Sequence, residues 1–255
     1  MIRPVSAIWL KFCNRCITSS LGRVLSRLWH SAMPSFPVRR RIFDLEIYFD
    51  SRDHPFVWFS PRKSMEEVEN VPALLSKFQG RFWDVGTNAG IYALWMAARG
   101  NPVVAFDISP KCISYVMKSA AHNGLKNVTG VARAFSTEPF QYQMPQTAIA
   151  SNKLQTGSNS TDAVAITYQE AAAQFGIPKV IKMDIEGHEE VFLRSKEFKQ
   201  WLVDNGISLF LEIHKEAFRE MLWKDMDCSW ISQNMAFIQP RSSAEMSLAS
   251  HPAAK

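Results

Sequence analysis

No stretch of the 255 residues approaches the ~18 consecutive apolar side chains that a membrane-spanning helix requires, so no integral membrane helix is expected. Four cysteines are too few for a disulfide scaffold at this length. The first apolar runs are short and interrupted by Lys11 and Arg15, unlike a secretory leader. A reducing, cytoplasmic setting is therefore the expectation. No internal repeat is visible. Acid is missing from one end only: residues 1–43 carry eight cations and no carboxylate before Asp44, whereas the remaining 212 residues hold 21 cations against 24 anions. The net charge of +5 and the pI near 9.0 thus belong to the N-terminal segment. A uniformly basic nucleic-acid surface is not what the body encodes.

What is present is ample core material. A hydrophobic content of 47%, with 12% aromatic, suits one large α/β domain or two small ones. From Val5 to Leu28, apolar residues recur at helical spacing (Val5, Trp9, Cys13, Ile17, Leu21, Leu25, Leu28), with Lys11, Arg15, Arg23 and Arg27 on the opposite face. This predicts a basic amphipathic helix. It could pack on the domain, lie peripherally on an anionic membrane or partner through residues 5–29, or be cleaved as a targeting peptide. Cys13 and Cys16 form a lone C-x-x-C without two further ligands, which reads as ordinary thiols. Ser35–Arg41, with Pro34 and Pro37, reads as a linker. The division expected is helix and linker over 1–43, a domain over 44–240 and a disordered tail over 241–255.

The body alternates strand and helix. Short strands are expected at Arg81–Asp84, Val103–Phe106, Val128–Phe135, Val180–Ile185 and Ile207–Ile213. Helices are expected at Thr87–Arg99, from Ser109 and Pro110 to Gly124, from the capping box Thr167/Glu170 to Gly176, and from Gly187 to about Val203. Ser229–Gln239 closes as an antiparallel hairpin, and Ser151–Asp162 reads as a polar loop. Repeated β–α units with apolar strands predict a doubly wound, Rossmann-like sheet, mostly parallel with a late antiparallel hairpin. Ligands of such sheets bind beyond the strand C-termini, where Asp84, Asp107, Asp184 and Glu212 fall.

Asp84-Val85-Gly86-Thr87-Asn88-Ala89-Gly90 is the most informative stretch. An acid closes a strand and two glycines stand four apart before a helix. Gly86 permits a tight turn, and Gly90 lets the helix pack against the strand. The middle glycine of a dinucleotide turn is missing. What remains is the D-x-G-x-x-x-G form used for S-adenosylmethionine, with the acid at the amino-acid end of that cofactor and Thr87 and Asn88 in the turn. Asp107 ends the next strand, where a carboxylate accepts both ribose hydroxyls, and Ile108 adjoins it.

Here the chain resembles the FkbM-type methyltransferases. Asp84–Gly90, the Val104-Ala-Phe-Asp107 strand end, and above all Val180-Ile-Lys-Met-Asp-Ile-Glu-Gly-His-Glu189 carry the resemblance, with Leu209-Phe-Leu-Glu-Ile213 similar to the strand that follows. It covers roughly residues 45–240. It implies a class I methyltransferase sheet and S-adenosylmethionine-dependent O-methyl transfer to a hydroxyl of a sugar, glycan or small natural product.

Methyl transfer to a neutral hydroxyl requires alignment and a proton acceptor within reach. Lys182, Asp184, Glu186, His188 and Glu189 are the candidates, with Asp184 first as base or acceptor clamp and His188 or His214 as alternatives. Glu189 alone reads as a first-turn acid complementing the helix dipole, and His188 as an exposed helix-start residue. Asp184, Glu186 and Glu212 could converge on a cation, but their spacing does not demand one, and no metal is expected. The alternatives are an RNA methyltransferase, suggested by the pI but lacking an Asn/Asp-Pro-Pro-aromatic clamp, and a non-catalytic binding module using the N-terminal helix. A nucleic-acid partner is not expected.

Overall fold

Strand alternation sorts the core into two faces. In the computed structural model, which describes residues 34–52, 73, 75–142, 163–232 and 234–241, seven strands form one sheet. They are β3 (Phe82–Val85), β4 (Val103–Phe106), β5 (Val128–Val131), β10 (Val180–Met183), β11 (Ser208–Glu212), β12 (Asp227–Trp230) and β13 (Met235–Gln239), in the order β12-β13-β11-β10-β3-β4-β5. The five strands from β11 to β5 run parallel; β13 is antiparallel to both β11 and β12. The expected doubly wound sheet and its late hairpin are both there. Chain order reverses between β3 and β10, which opens a crevice at their C-terminal ends.

Trp83, Val85, Phe106, Ile181, Met183, Leu209 and Leu211 point to one face. They are covered by Phe135 and by the helices α3 (Tyr168–Phe175), α4 (Glu189–Arg194) and α5 (Lys196–Asp204). Phe82, Val103, Ala105, Val180 and Phe210 point to the other, beneath α1 (Ile91–Ala97) and α2 (Pro110–His122). Ser109 caps α2 as its sequence position implies, its hydroxyl accepting from Cys112 N at 3.3 Å. Thr167 and Glu170 close a full capping box on α3.

Several expectations need correction. Residues 37–42 are not a linker. They form β1 (Pro37–Ile42), paired antiparallel with β2 (Leu45–Asp50). Phe43 and Asp44, with φ of 50° and 64°, make the tight turn, both central residues being left-handed as such hairpins demand. The alternation of Val38, Arg40 and Ile42 was masked by two prolines and three arginines. The hairpin is fastened to α2 by Tyr48 N donating to Ser119 Oγ at 2.8 Å and Glu46 N to Asn123 Oδ1 at 2.9 Å. The strand foreseen over 128–135 stops at Val131; Phe135 belongs to β6 (Phe135–Ser136), parallel to β9 (Ile166–Thr167), while β7 (Gln141–Tyr142) pairs with β8 (Ala163–Val164). The helix foreseen from 187 breaks at Ser195, whose hydroxyl accepts from Phe198 N at 3.0 Å and starts α5 afresh. The helix foreseen from Thr87 begins only at Ile91. The amphipathic segment with Cys13 and Cys16, the polar run 151–162 and the chain beyond 241 lie outside the described residues. Among the described residues, no helix is long and apolar enough to cross a membrane.

Candidate active site

A cavity opens at the crevice. Val85, Gly86 and Asn88 line it after β3, Asp107, Ile108 and Cys112 after β4, Arg133–Phe135 from the β5–β6 turn, and Asp184–Glu186 with His188 after β10. Seven anticipated site residues therefore meet here: Gly86, Asn88, Asp107, Ile108, Asp184, Glu186 and His188. Asp84, Thr87, Gly90 and Lys182 do not line it.

The turn after β3 is built from backbone constraints. Gly86 has φ of 75°, and a Cβ there would lie 1.7 Å from the carbonyl oxygen of Asp184. Glycine is required because the loops leaving β3 and β10 touch. Gly86 N and Thr87 N both donate to Phe106 O at 2.9 Å. Asn88 is left-handed, with φ of 51°, and its N–H donates to Asp107 Oδ2 at 2.9 Å. Ser109 N donates to the other carboxylate oxygen at 2.9 Å. One acceptor direction remains on each oxygen for a ligand. Burial pushes the Asp107 carboxyl up to about 6 against these two N–H donors. Gly90 serves a different contact from the one foreseen: a Cβ would meet Val116 Cγ2 at 2.7 Å, so it lets the loop pass α2 rather than the strand.

Asp84 and Lys182 stand opposite one another in the β3–β10 register and are almost wholly buried, at 0% and 3% exposure. Asp84 Oδ2 accepts from Thr87 Oγ1 at 2.8 Å and Ala93 N at 3.0 Å. Lys182 Nζ lies 3.8 Å from Asp84 Oδ1 and donates to Asp184 Oδ2 at 3.2 Å and Gly86 O at 3.3 Å. Burial raises the Asp84 pKa. Burial also works against the Lys182 cation, but Asp184 and Asp84 outweigh it and raise the pKa overall. These two residues brace the crevice from beneath. Strand alternation turns both toward the α1 side, so neither lines the cavity.

The wall after β10 is electrostatic. Glu186 and Gly187 turn the chain with φ of 53° and 100°. His188 is half-buried against Phe140 and Phe192, its Nε2 3.4 Å from Ser136 Oγ. It is not the exposed helix-start residue that position alone suggests. Burial lowers its pKa, which keeps the imidazole neutral. Glu189 is fully buried; its Oε1 accepts from Ile185 N at 3.2 Å and lies 2.7 Å from His214 Nδ1, well beyond a dipole role. His214 Nε2 is 3.5 Å from Asp184 Oδ1 and 3.8 Å from Glu186 Oε2. The hydrogen bond to Glu189 raises the His214 pKa. Burial and the neighbouring Asp184 push Glu212 up, whereas Lys182 and His214 outweigh burial at Asp184 and hold it down.

No protein-family model matches the chain, and no curated protein matches it significantly. Among solved structures it is similar to a SAM-dependent methyltransferase from Agrobacterium tumefaciens, with a TM-score of 0.48, 12% identity and coverage of 82% of this chain and 70% of that one. It is also similar to Trm5b from Pyrococcus abyssi (TM-score 0.44, 16% identity, 80% and 54% covered). The tRNA (uracil-54, C5)-methyltransferase of Pyrococcus abyssi, in complex with S-adenosyl-L-homocysteine, is a third (0.44, 12%, 80% and 43%). Likeness of this degree carries no argument about activity. The sheet itself is Rossmann-like, mostly parallel and doubly wound.

Sequence reasoning missed Arg133, Cys112 and Ser136. Arg133 reaches the cavity while its guanidinium donates to Val164 O at 2.8 Å and Ala165 O at 3.0 Å, so it ties the β8–β9 segment to the wall. No local motif could have signalled a contact across that separation.

Proposed function

We propose that the chain is an S-adenosylmethionine-dependent methyltransferase of FkbM type that methylates a hydroxyl of a sugar, glycan or small natural product. The observation that carries this reading is Asp107 at the end of β4, both oxygens aligned by N–H groups of the Asn88 and Ser109 loops, facing a turn that only glycine at 86 permits. The residues fit the group: Asp107 would take the ribose hydroxyls, while Gly86, Asn88 and Ile108 would flank the nucleoside. Bound there, S-adenosylmethionine supplies a methyl group activated on a sulfonium sulfur. Asp84, foreseen at the amino-acid end, holds the turn through Thr87 and Ala93.

At the far end, His188 is better suited than Asp184 to accept the hydroxyl proton. Its imidazole is neutral and lines the cavity, whereas Asp184 is committed to Lys182. Asp184 and Glu186 would accept hydrogen bonds from the acceptor. Their negative charge favours a neutral polyhydroxyl over a polyanion such as RNA.

Calorimetric titration with S-adenosylmethionine and S-adenosylhomocysteine tests the reading. Wild type should bind, and Asp107→Ala should lose about 10- to 100-fold in affinity, as for a charge-assisted bidentate contact. Absence of binding to folded wild type would sink the cofactor assignment. A salt-dependent RNA mobility shift would favour the nucleic-acid alternative.

A further inference from the structure

We propose that Asp184, Glu212 and His214 form a divalent-cation site at the acceptor end of the cavity. One ligand atom from each residue lies within 4.8 Å of the other two. Glu212 ends β11, Asp184 directly follows the adjacent parallel strand β10 with its N–H on Val85 O at 3.0 Å, and His214, two residues past β11, is held by Glu189.

Three further features point to an ion. First, the imidazole is held as metal-bound histidines are held. Its Nδ1 lies 2.7 Å from a carboxylate oxygen of the fully buried Glu189, which places the proton on Nδ1 and leaves Nε2 directed at Asp184 Oδ1 and Glu186 Oε2. Second, those two Nε2 separations, 3.5 and 3.8 Å, are too long for good hydrogen bonds, whereas one ion between the groups would satisfy all of them. Third, the local charge is unbalanced. Glu189 keeps a buried second oxygen, Oε2, with no hydrogen-bond partner among the described residues. Lys182 is already shared between Asp84 and Asp184. Asp184, Glu189 and Glu212 crowd around the one His214 imidazole, and a carboxylate oxygen of Asp184 lies within 4.8 Å of one of Glu212, where two carboxylates repel unless a proton or cation lies between them.

One imidazole with two carboxylates suits a first-row ion such as Mn²⁺ better than Ca²⁺, which takes six to eight oxygens. Asp184 also lines the cavity, so the ion would sit where an acceptor hydroxyl approaches. Its contribution there would be to polarise that hydroxyl and ease its deprotonation. The site itself is a property of the strand ends and stands apart from the methyl-transfer reading; only the role at the acceptor rests on it.

The test is Mn²⁺ binding to the chelator-treated full chain, followed by calorimetry and by loss of the free-ion electron paramagnetic resonance signal. Wild type should bind about one ion per chain. Glu212→Gln and His214→Ala should each weaken binding at least tenfold while melting cooperatively, and Glu189→Gln should weaken it about 10- to 100-fold, as expected for a buried orienting carboxylate. Glu197→Gln, on the exposed start of α5, should leave binding unchanged. No saturable binding to folded wild type, or binding unaffected by both Glu212→Gln and His214→Ala, overturns the proposal. Parallel titration with S-adenosylmethionine separates the two readings: ion binding without cofactor binding would refute the methyltransferase assignment and leave the cation site standing.

Discussion

The two ends of the cavity are made of different material. After β3 and β4 the wall is backbone: left-handed residues at 86, 88 and 90, N–H groups turned onto Asp107, and close passages that a methyl group would block. After β10 and β11 it is side-chain charge: Asp184, Glu186, Glu189, Glu212 and His214, braced by Lys182 from below. Backbone walls tolerate almost no substitution and respond to pH only weakly. Charged walls tolerate shape changes and respond to the removal of any one partner.

The sharpest way to break this contrast is at the backbone wall. Gly86→Ala combines a contact of 1.7 Å with a left-handed φ and should destabilise the fold by more than about 4 kcal/mol, strain and overpacking acting together. Gly124→Ala has a similar φ of 69° but nothing within 4 Å, so it should lose only about 1 kcal/mol. Urea denaturation of both variants measures the difference. If Gly86→Ala were as mild as Gly124→Ala, the loops after β3 and β10 would not be in contact.

Beneath the charged wall, Lys182→Met strands the buried Asp84 carboxylate and should lose about 3–5 kcal/mol. Adding Asp84→Asn should recover part of that, giving a coupling in a double-mutant cycle. Equal losses in the single and double variants would mean that the lysine acts by packing alone. On the cavity side, His188→Gln should lower kcat about 100-fold or more and leave cofactor affinity within twofold. Because burial lowers the His188 pKa, the acidic limb of the wild-type profile should fall below the ordinary histidine value of about 6.5 and vanish in the variant.

The smallest effect is one of pH at Asp107, the carboxylate of the backbone wall. With its pKa near 6, the carboxylate loses charge as pH falls through that value, so cofactor affinity should decline below pH 6 in wild type and stay flat in Asp107→Asn. In the cofactor-free chain the sign reverses. The folded state binds this proton more readily than the unfolded chain, so Asp107 favours folding as pH drops from about 6 towards 4 and opposes it above. Thermal melts across that range, wild type against Asp107→Asn, check the direction.

The same contrast explains what the amino-acid sequence disclosed. A backbone wall leaves a local signature, since Gly86, Gly90 and Asp107 occupy fixed offsets around one β–α turn. The parallel sheet, its capped helices and the late hairpin were legible for the same reason: caps and apolar runs are short-range signals. The charged wall was only half legible. Asp184, Glu186 and His188 lie together in sequence, but Glu212 and His214 arrive from another strand, and Ser136 reaches His188 across 52 positions. The burial of Glu189 could not be read from a helix start, because only the strand beside it decides what covers that turn. The hairpin over 37–50 was missed because arginine-rich strands carry weak hydrophobic alternation.

The register at the centre of the sheet also sets when this protein can begin to exist during translation. Phe82 pairs with Val180 and Val85 with Met183, almost one hundred positions apart. At about 5–20 residues per second, a ribosome takes several seconds or more to deliver β10 after β3 has formed its peptide bonds. Throughout that interval the Trp83 side of the first β–α units lacks its covering helices, α4 and α5. Apolar surface on that face stays exposed until β10 and its following helices arrive, so a chain ending before Val180 cannot bury it within this sheet.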